Sequence, residues 1–249
     1  MRINEAYKSF LFSAVLIAGC ASSQGFDRGR MEQSLTTDKV VVSDEEIKRV
    51  LGLKPQISFP FRLGVFLKGY DSEWSRSWSK LEGARNIGSE GWVNELKAAG
   101  IVSNVVFVSP LTVGKYDLKN IRLGAARHGV DAVLVVESTY DVDRYNNFSA
   151  FLYWTIIGAY LVPGTHADAL VMVKGALWDV RNEYLYLTVS AEGEAKKVGP
   201  AFLLENSDSI KIARENAIVN FGAEFVKRLK TLKGVPPNSG LQPTGYAGG

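Results

Sequence analysis

The strongest constraint on the fold is the alternation of short apolar runs with stretches of helical periodicity. Phe59–Leu67, Asn104–Ser109 and Asp131–Glu137 are rich in β-branched and aromatic residues and have the length of buried strands. Between these runs, apolar residues recur at helical spacing: Trp74, Trp78 and Leu81, and then Leu118, Ile121 and Ala125 after the capping residue Asp117. A strand–helix–strand–helix–strand order favours a partly parallel sheet with helices on its faces.

The second half of the chain predicts a β-hairpin and a long helix. Residues 169–180 and 184–191 are strand-like and flank the turn Arg181-Asn182-Glu183. One face of a helix over residues 208–232 is marked by Ile210, Ala213, Ala217, Phe221, Phe225 and Leu229. Ser43 and Glu46 form a capping box, which predicts a short helix from Asp44 to Leu51. The predicted class is therefore α/β (or α+β), with a mixed, partly parallel sheet, flanking helices, a closing β-hairpin and a long C-terminal helix.

The first twenty residues have the layout of a secretion signal. Arg2 and Lys8 precede the apolar core Phe10–Ala18, which is too short to span a bilayer as a helix. The motif Ile17-Ala18-Gly19-Cys20 follows and resembles a bacterial lipobox. The resemblance implies that Cys20 is acylated and that the chain is cut before it, so that Cys20 anchors the protein in a lipid bilayer. An uncleaved anchor and an ordinary secreted protein are the alternatives.

The same resemblance implies a location and a division of the chain. Because Ala21 rather than aspartate follows Cys20, it implies an outer-membrane protein that faces the periplasm. The predicted organisation is a signal peptide over 1–19, a lipid-anchored tether over 20–42, a single α/β domain over 43–234 and a disordered tail over 235–249. Cys20 is the only cysteine, which excludes an intrachain disulfide.

Two structural motifs carry a resemblance to a family. The helix that begins at Leu118 ends in His-Gly-Val-Asp-Ala-Val-Leu-Val-Val, and a hairpin turn lies at residues 178–184. Over about residues 60–230 the chain resembles envelope lipoproteins with a TolB-amino-terminal or CsgG-like α/β domain, and more narrowly the rhombotarget lipoprotein group. This resemblance implies a fold and an envelope location, and it brings no catalytic residues with it.

The segment from residue 148 to residue 163 is aromatic and carries no charge. One interpretation, which we favour narrowly, is that it completes the core. The other is that it contacts the membrane, an envelope protein or a second copy of the chain, because large apolar patches are rare on monomers. The contact residues would then be Phe148, Phe151, Leu152, Trp154, Ile157 and Tyr160.

The residues that could act in catalysis or bind a metal form no recognisable site in the sequence. His128 and His166 are the only two histidines, and His166 and Asp168 together fall short of the three or four ligands that zinc needs. Asp141, Asp143, Asn146 and Asn147 are rich in oxygen, but Tyr145 stands where a calcium loop has a ligand. With 29 basic and 26 acidic residues and no long basic block, the sequence does not suggest nucleic-acid binding.

The sequence therefore predicts a periplasm-facing, lipid-anchored protein with a binding or assembly role, no catalytic residue, no metal and no cofactor. The alternative is a hydrolase of envelope polymers that uses His128 or His166 as its base.

Overall fold

The computed structural model describes residues 22–35, 43–68, 89–147 and 160–234. Several predictions lie outside these residues: the lipobox with Cys20, the helix that begins near Asp71, the tail over 235–249, and Phe148, Phe151, Leu152, Trp154 and Ile157 of the aromatic segment. Within the described part of the chain, no helix combines the length and the apolar character needed to cross a membrane.

The described elements follow one another in this order: α1 (Arg28–Ser34), α2 (Asp44–Leu51), β1 (Phe61–Lys68), α3 (Ser89–Ala98), β2 (Val102–Phe107), α4 (Leu118–Arg127), β3 (Ala132–Asn146), β4 (Thr165–Asp179), β5 (Leu185–Gly199) and α5 (Asn206–Gly234). A short 3-10 helix, Pro110–Thr112, lies between β2 and α4.

The five strands form one mixed sheet in the order β2-β1-β3-β4-β5. β1 runs parallel to β2, with Leu63 opposite Val105, and parallel to β3, with Val65 opposite Leu134. The connection between β4 and β5 is too short for a parallel crossover, so these neighbours form an antiparallel hairpin. The predicted α/β class, with its partly parallel sheet, hairpin and long C-terminal helix, is confirmed.

The predicted helix starts agree with the observed caps. Ser43 Oγ accepts a hydrogen bond from Glu46 N at 3.2 Å, and Asp117 Oδ1 accepts one from Asn120 N at 2.8 Å. Each bond satisfies one of the backbone N–H groups that a helix leaves without an internal partner. Gly129 ends the turn after α4 with φ of +65°, a value that glycine adopts at no steric cost.

Residue contacts divide the chain into two compact units. The single domain over residues 43–234 stays a prediction. Among the described residues, the small unit comprises 22–27, 141–147, 160–170 and 194–213. The large unit comprises 28–35, 43–68, 89–140, 171–193 and 214–234. β3, β4, β5 and α5 each contribute residues to both units.

The large unit holds a packed apolar core. One cluster joins β1, β3 and α4 through fully or almost fully buried side chains: Phe66, Val108, Val113, Ile121, Ala125, Val130 and Val133. α5 packs closely on β4, because a Cβ on Gly175 would lie only 2.6 Å from Phe221 Cζ. Trp92 of α3 meets Phe225 of α5 edge to face, with ring centroids 5.8 Å apart.

Part of the predicted tether is helical. Met31 of α1 is buried, and Arg28 Nε of the same helix lies 3.1 Å from Glu192 Oε2. Lys174 Nζ donates to Glu32 Oε1 at 3.2 Å. The sequence reading missed this helix because Met31 is the only apolar residue in it, which gives no apolar face to detect.

Candidate functional site

An exposed apolar patch lies on the small unit. It consists of Tyr160, Leu161, Phe202 and Leu203, whose exposed fractions are 47%, 72%, 65% and 63%. The rings of Tyr160 and Phe202 stack with centroids 4.9 Å apart and an interplanar angle of 26°. The stacked rings join the two pairs of exposed residues, and we call the four residues the apolar patch.

The turn between β5 and α5 presents one half of this patch. Leu203 N and Leu204 N both donate to the carbonyl oxygen of Pro200, at 3.1 and 3.0 Å. Leu204 is buried and lies against Gly199, where a Cβ would be 3.2 Å from Leu204 Cδ1. This tight turn therefore directs Leu204 inward and leaves Phe202 and Leu203 in solvent.

The other half of the patch lies at the end of the aromatic segment. Asn147 N donates to Gly164 O at 2.7 Å, and Thr165 Oγ1 donates to Asn146 Oδ1 at 2.8 Å. Hydrogen bonds therefore join the end of β3 to the start of β4, on either side of the aromatic segment. Tyr160 is the only predicted contact residue of this segment that the structure describes, and it is about half exposed.

Residues 23–27 dock on β3. Ser23 Oγ donates to Asp143 Oδ2, and Gly25 N donates to the same atom at 2.9 Å. Asp27 N donates to Asp141 Oδ2 at 3.1 Å. Asp141 and Asp143 are two apart in a strand and so lie on one face of the sheet. The carboxylates that the sequence analysis noted as oxygen-rich therefore bind the amino-terminal main chain.

β3 also binds the turn that carries Phe202 and Leu203 of the apolar patch. Arg144, the residue after Asp143, donates from Nη2 to the carbonyl oxygen of Ala201 at 2.7 Å. Ala201 directly precedes Phe202. Two adjacent residues of β3 thus fix the segment that follows Cys20 and the turn that carries Phe202 and Leu203.

A buried acid and two rings form a separate polar cluster on the small unit. Tyr145 stacks on His166 with centroids 4.6 Å apart, and its hydroxyl donates to Asp168 Oδ2 at 3.2 Å. Burial and the negative charge of Asp168 raise the pKa of Tyr145, which keeps the phenol protonated. Asp168 is buried, and its Oδ1 has no hydrogen-bond partner among the described residues. The geometry makes Tyr145 a hydrogen-bond donor that orients Asp168.

The two histidines lie in different units. His128 caps α4 in the large unit, with Nδ1 2.9 Å from the carbonyl oxygen of Gly124. His166 lies in the small unit, with Nε2 3.4 Å from Asn147 Nδ2. Across the described ranges, no group of three or more His, Cys, Asp or Glu side chains has the arrangement of a metal site.

Sequence reasoning missed two parts of this arrangement. Phe202 and Leu203 had a visible signal, since an apolar run between a strand and a helix is unusual for a turn. The docking of Ser23 on Asp143 had none, because 120 residues separate the two partners in the chain.

No family model and no curated protein matches the sequence. Among solved structures, the chain is similar to the rare lipoprotein B from Shewanella oneidensis, with 12% identity, a TM-score of 0.32 and coverage of 69% of this chain and 96% of that chain. A minor lipoprotein from Acinetobacter baumannii has 10% identity and a TM-score of 0.31, and covers 69% of this chain and 92% of its own. The PelC dodecamer from Paraburkholderia phytofirmans has 14% identity and a TM-score of 0.29, with coverage of 68% and 94%. At these identities and TM-scores the similarity assigns no function.

Proposed function

We propose that this chain is a lipoprotein of the bacterial envelope that is held at the outer membrane by acylated Cys20, faces the periplasm and acts by binding or assembly. The observation that carries the proposal is the motif Ile17-Ala18-Gly19-Cys20, placed three residues before a segment that is hydrogen-bonded to the folded chain. Acyl chains on Cys20 would therefore hold the small unit close to the bilayer. Several chains on one residue give a lasting anchor, whereas one gives only marginal binding.

Both histidine rings contact neighbouring groups of the fold. The ring of His128 is hydrogen-bonded to a carbonyl of its own helix, which is a structural contact at a helix end. The ring of His166 stacks on Tyr145 and lies beside Asn147.

Metabolic labelling with a fatty-acid probe tests the anchor. We expect the wild-type protein to take up the label and to fractionate with membranes, because the Cys20 thiol is the acceptor. Cys20→Ala should lose both, while the neighbouring control Ser22→Ala should keep both. Label that persists on Cys20→Ala would contradict the lipoprotein assignment.

A second experiment separates binding from hydrolysis. In a binding protein, the double variant His128→Ala, His166→Ala should form the same cross-linked species in intact cells as the wild type. A hydrolase would behave differently: the purified wild-type protein would release soluble fragments from isolated envelope polymers, and the double variant would not. That result would overturn the non-catalytic proposal.

A further inference from the structure

We propose that the apolar patch is a second membrane contact, which lies in the headgroup region of the same leaflet that receives the acyl chains of Cys20. This inference rests on the proposed lipid anchor. Its occupant is a phospholipid surface, and its contact residues are Tyr160, Leu161, Phe202 and Leu203.

The first argument is the position of the patch at one end of the sheet. β3 ends at Asn146 and β4 begins at Thr165, and the two residues are hydrogen-bonded to each other. β5, the hairpin partner of β4, ends at Gly199, which is at the same end because β4 and β5 are joined at their other ends. Tyr160 and Leu161 precede β4, and Phe202 and Leu203 follow β5. The four side chains therefore extend beyond the same strand ends.

The second argument is the attachment point of the anchor. Ser23 is held by Asp143, and the next residue of β3, Arg144, holds Ala201 beside the patch. Cys20 is three residues before Ser23, and three residues of extended chain reach at most about 11 Å. The attachment point at Ser23 is thus held three residues before the end of β3, and acyl chains on Cys20 could reach the leaflet that the patch would contact.

The third argument concerns the chemistry of the patch. An aromatic ring with a hydroxyl, a phenylalanine and two leucines are the side chains that rest at a membrane interface, where one end of a tyrosine is apolar and the other is wet. A stable protein–protein interface needs about 800 Å² on each partner, which is more than four side chains supply. A membrane contact needs no such area, because the anchor holds the bilayer at high effective concentration. These features favour lipid over a second copy of the chain.

A single-cysteine label tests this proposal in the lipidated protein. Since Cys20 is the only cysteine and its thiol carries the lipid, Leu203→Cys supplies the one reactive thiol of the mature chain. The variant is labelled with an environment-sensitive fluorophore and reconstituted into vesicles of phosphatidylethanolamine and phosphatidylglycerol, with or without a nitroxide near the headgroups. Leu161→Cys reports on the other half of the patch. The matched control is Leu111→Cys in the large unit, which is 93% exposed.

We expect the labels at residues 203 and 161 to shift to shorter wavelength and to be quenched roughly twofold or more by the nitroxide, because an interfacial side chain lies about 5–10 Å deep. The label at residue 111 should show neither effect. A shifted label that the lipid nitroxide does not quench would show that protein, such as a second copy, covers the patch, and would overturn the proposal. Labels at 203 and 161 that behave like the label at 111 would overturn it as well.

Failure of the anchor itself gives a different result. Without acylation, the wild-type protein would react with the thiol reagent at Cys20 and would not float with the vesicles. That outcome removes the proposed function and the membrane contact together. A wild-type protein that is unreactive and floats, with an unquenched patch, rejects the membrane contact alone.

Discussion

At the scale of single residues, one buried acid fixes the turn of the hairpin in the large unit. Asp179 is fully buried and accepts hydrogen bonds from the Tyr186 hydroxyl at 2.5 Å and from Arg181 N at 2.8 Å. The Tyr186 oxygen in turn accepts from the backbone N–H groups of Gln56 and Ile57, both at 3.0 Å. Burial and the bond to Asp179 raise the pKa of Tyr186, so the phenol remains a neutral donor at physiological pH.

The first prediction concerns this hydroxyl. Tyr186→Phe should lower the free energy of unfolding by about 1–3 kcal/mol, because it leaves the buried carboxylate of Asp179 without one partner and removes the acceptor of two partly exposed N–H groups. Urea denaturation measures the change. The control is Tyr184→Phe, which retains the edge-to-face contact between the two rings, with centroids 5.1 Å apart. Equal losses in the two variants would contradict a specific role for the Tyr186 hydroxyl.

The second prediction is a pH dependence at Asp131. Burial alone would raise the pKa of this carboxyl, but hydrogen bonds from Arg62 N at 2.9 Å and from the Arg181 guanidinium at 2.7 Å hold the pKa below its ordinary value. The lower pKa in the folded state means that ionised Asp131 contributes stability above the pKa of the unfolded chain. This stability is lost as the pH falls through the folded-state pKa.

Asp131→Asn should therefore be less stable than the wild type at pH 7, by roughly 1 kcal/mol or less since the pair is partly exposed. The difference should shrink as the pH falls to about 3, below the ordinary pKa of an aspartate, because protonation then favours the unfolded chain over the folded one. Chemical denaturation at both pH values measures it. A difference that grows on acidification would mean that Asp131 is not held ionised by its partners.

At the scale of elements, close packing between β4 and α5 depends on the absence of a side chain. A Cβ on Gly175 would lie 2.6 and 2.9 Å from two atoms of the Phe221 ring, which is itself buried. Gly175→Ala should therefore destabilise the protein by about 1–3 kcal/mol through overpacking, and Phe221→Leu in the same chain should restore part of the loss. Thermal denaturation measures both changes.

Gly91→Ala is the matched control for this glycine. It lies within α3, and nothing is within 4 Å of its ideal Cβ. Alanine there should be neutral or stabilising, because glycine in a helix interior costs about 0.5–1 kcal/mol relative to alanine. Destabilisation at residue 91 but not at residue 175 would contradict the packing argument.

The elements that sequence analysis predicts are those with local signals. The capping residues Ser43 and Asp117 begin α2 and α4, and β1 is largely buried. β2 is predicted to be a buried strand, but it lies at the edge of the sheet and only Val102 in it is buried. β3 is predicted to end at Glu137 but continues to Asn146, because beyond residue 137 most of its side chains are only partly buried and no continuous apolar run marks the strand. The order of the strands in the sheet depends on long-range pairing. The strand–helix alternation predicts only the parallel strands β1, β2 and β3.

At the scale of the whole chain, the candidate site combines one local signal with contacts that only folding creates. The charge-free run that includes Tyr160 is visible in the sequence, so a contact surface there is one of two stated interpretations. Its extension to Phe202 requires that the start of β4 and the end of β5 lie together, and its relation to Cys20 requires the bond between Ser23 and Asp143. Neither contact has a signature within a short stretch of sequence.

The last prediction tests whether that docked segment sets the geometry of the lipidated protein. Asp143→Ala removes the acceptor of two hydrogen bonds, from Ser23 Oγ and Gly25 N, each contributing about 1 kcal/mol. Residues 22–26 should then act as a flexible tether, although Asp27 N is still held by Asp141, and the small unit should be held less closely to the bilayer. Acylation of Cys20 should be unchanged, because the motif before Cys20 is intact.

The measurement is quenching of the label on Leu203→Cys by headgroup nitroxides, in the presence and absence of Asp143→Ala. We expect the quenching to fall while flotation with vesicles is retained. Asp208→Ala is the control, since this acid also lies in the small unit and its pKa is lowered by its exposed ion pair with Lys197. Quenching that is equally reduced by Asp208→Ala would assign the effect to general loosening of the unit. Quenching that is unchanged by Asp143→Ala would mean that the patch binds the membrane without help from the docked segment.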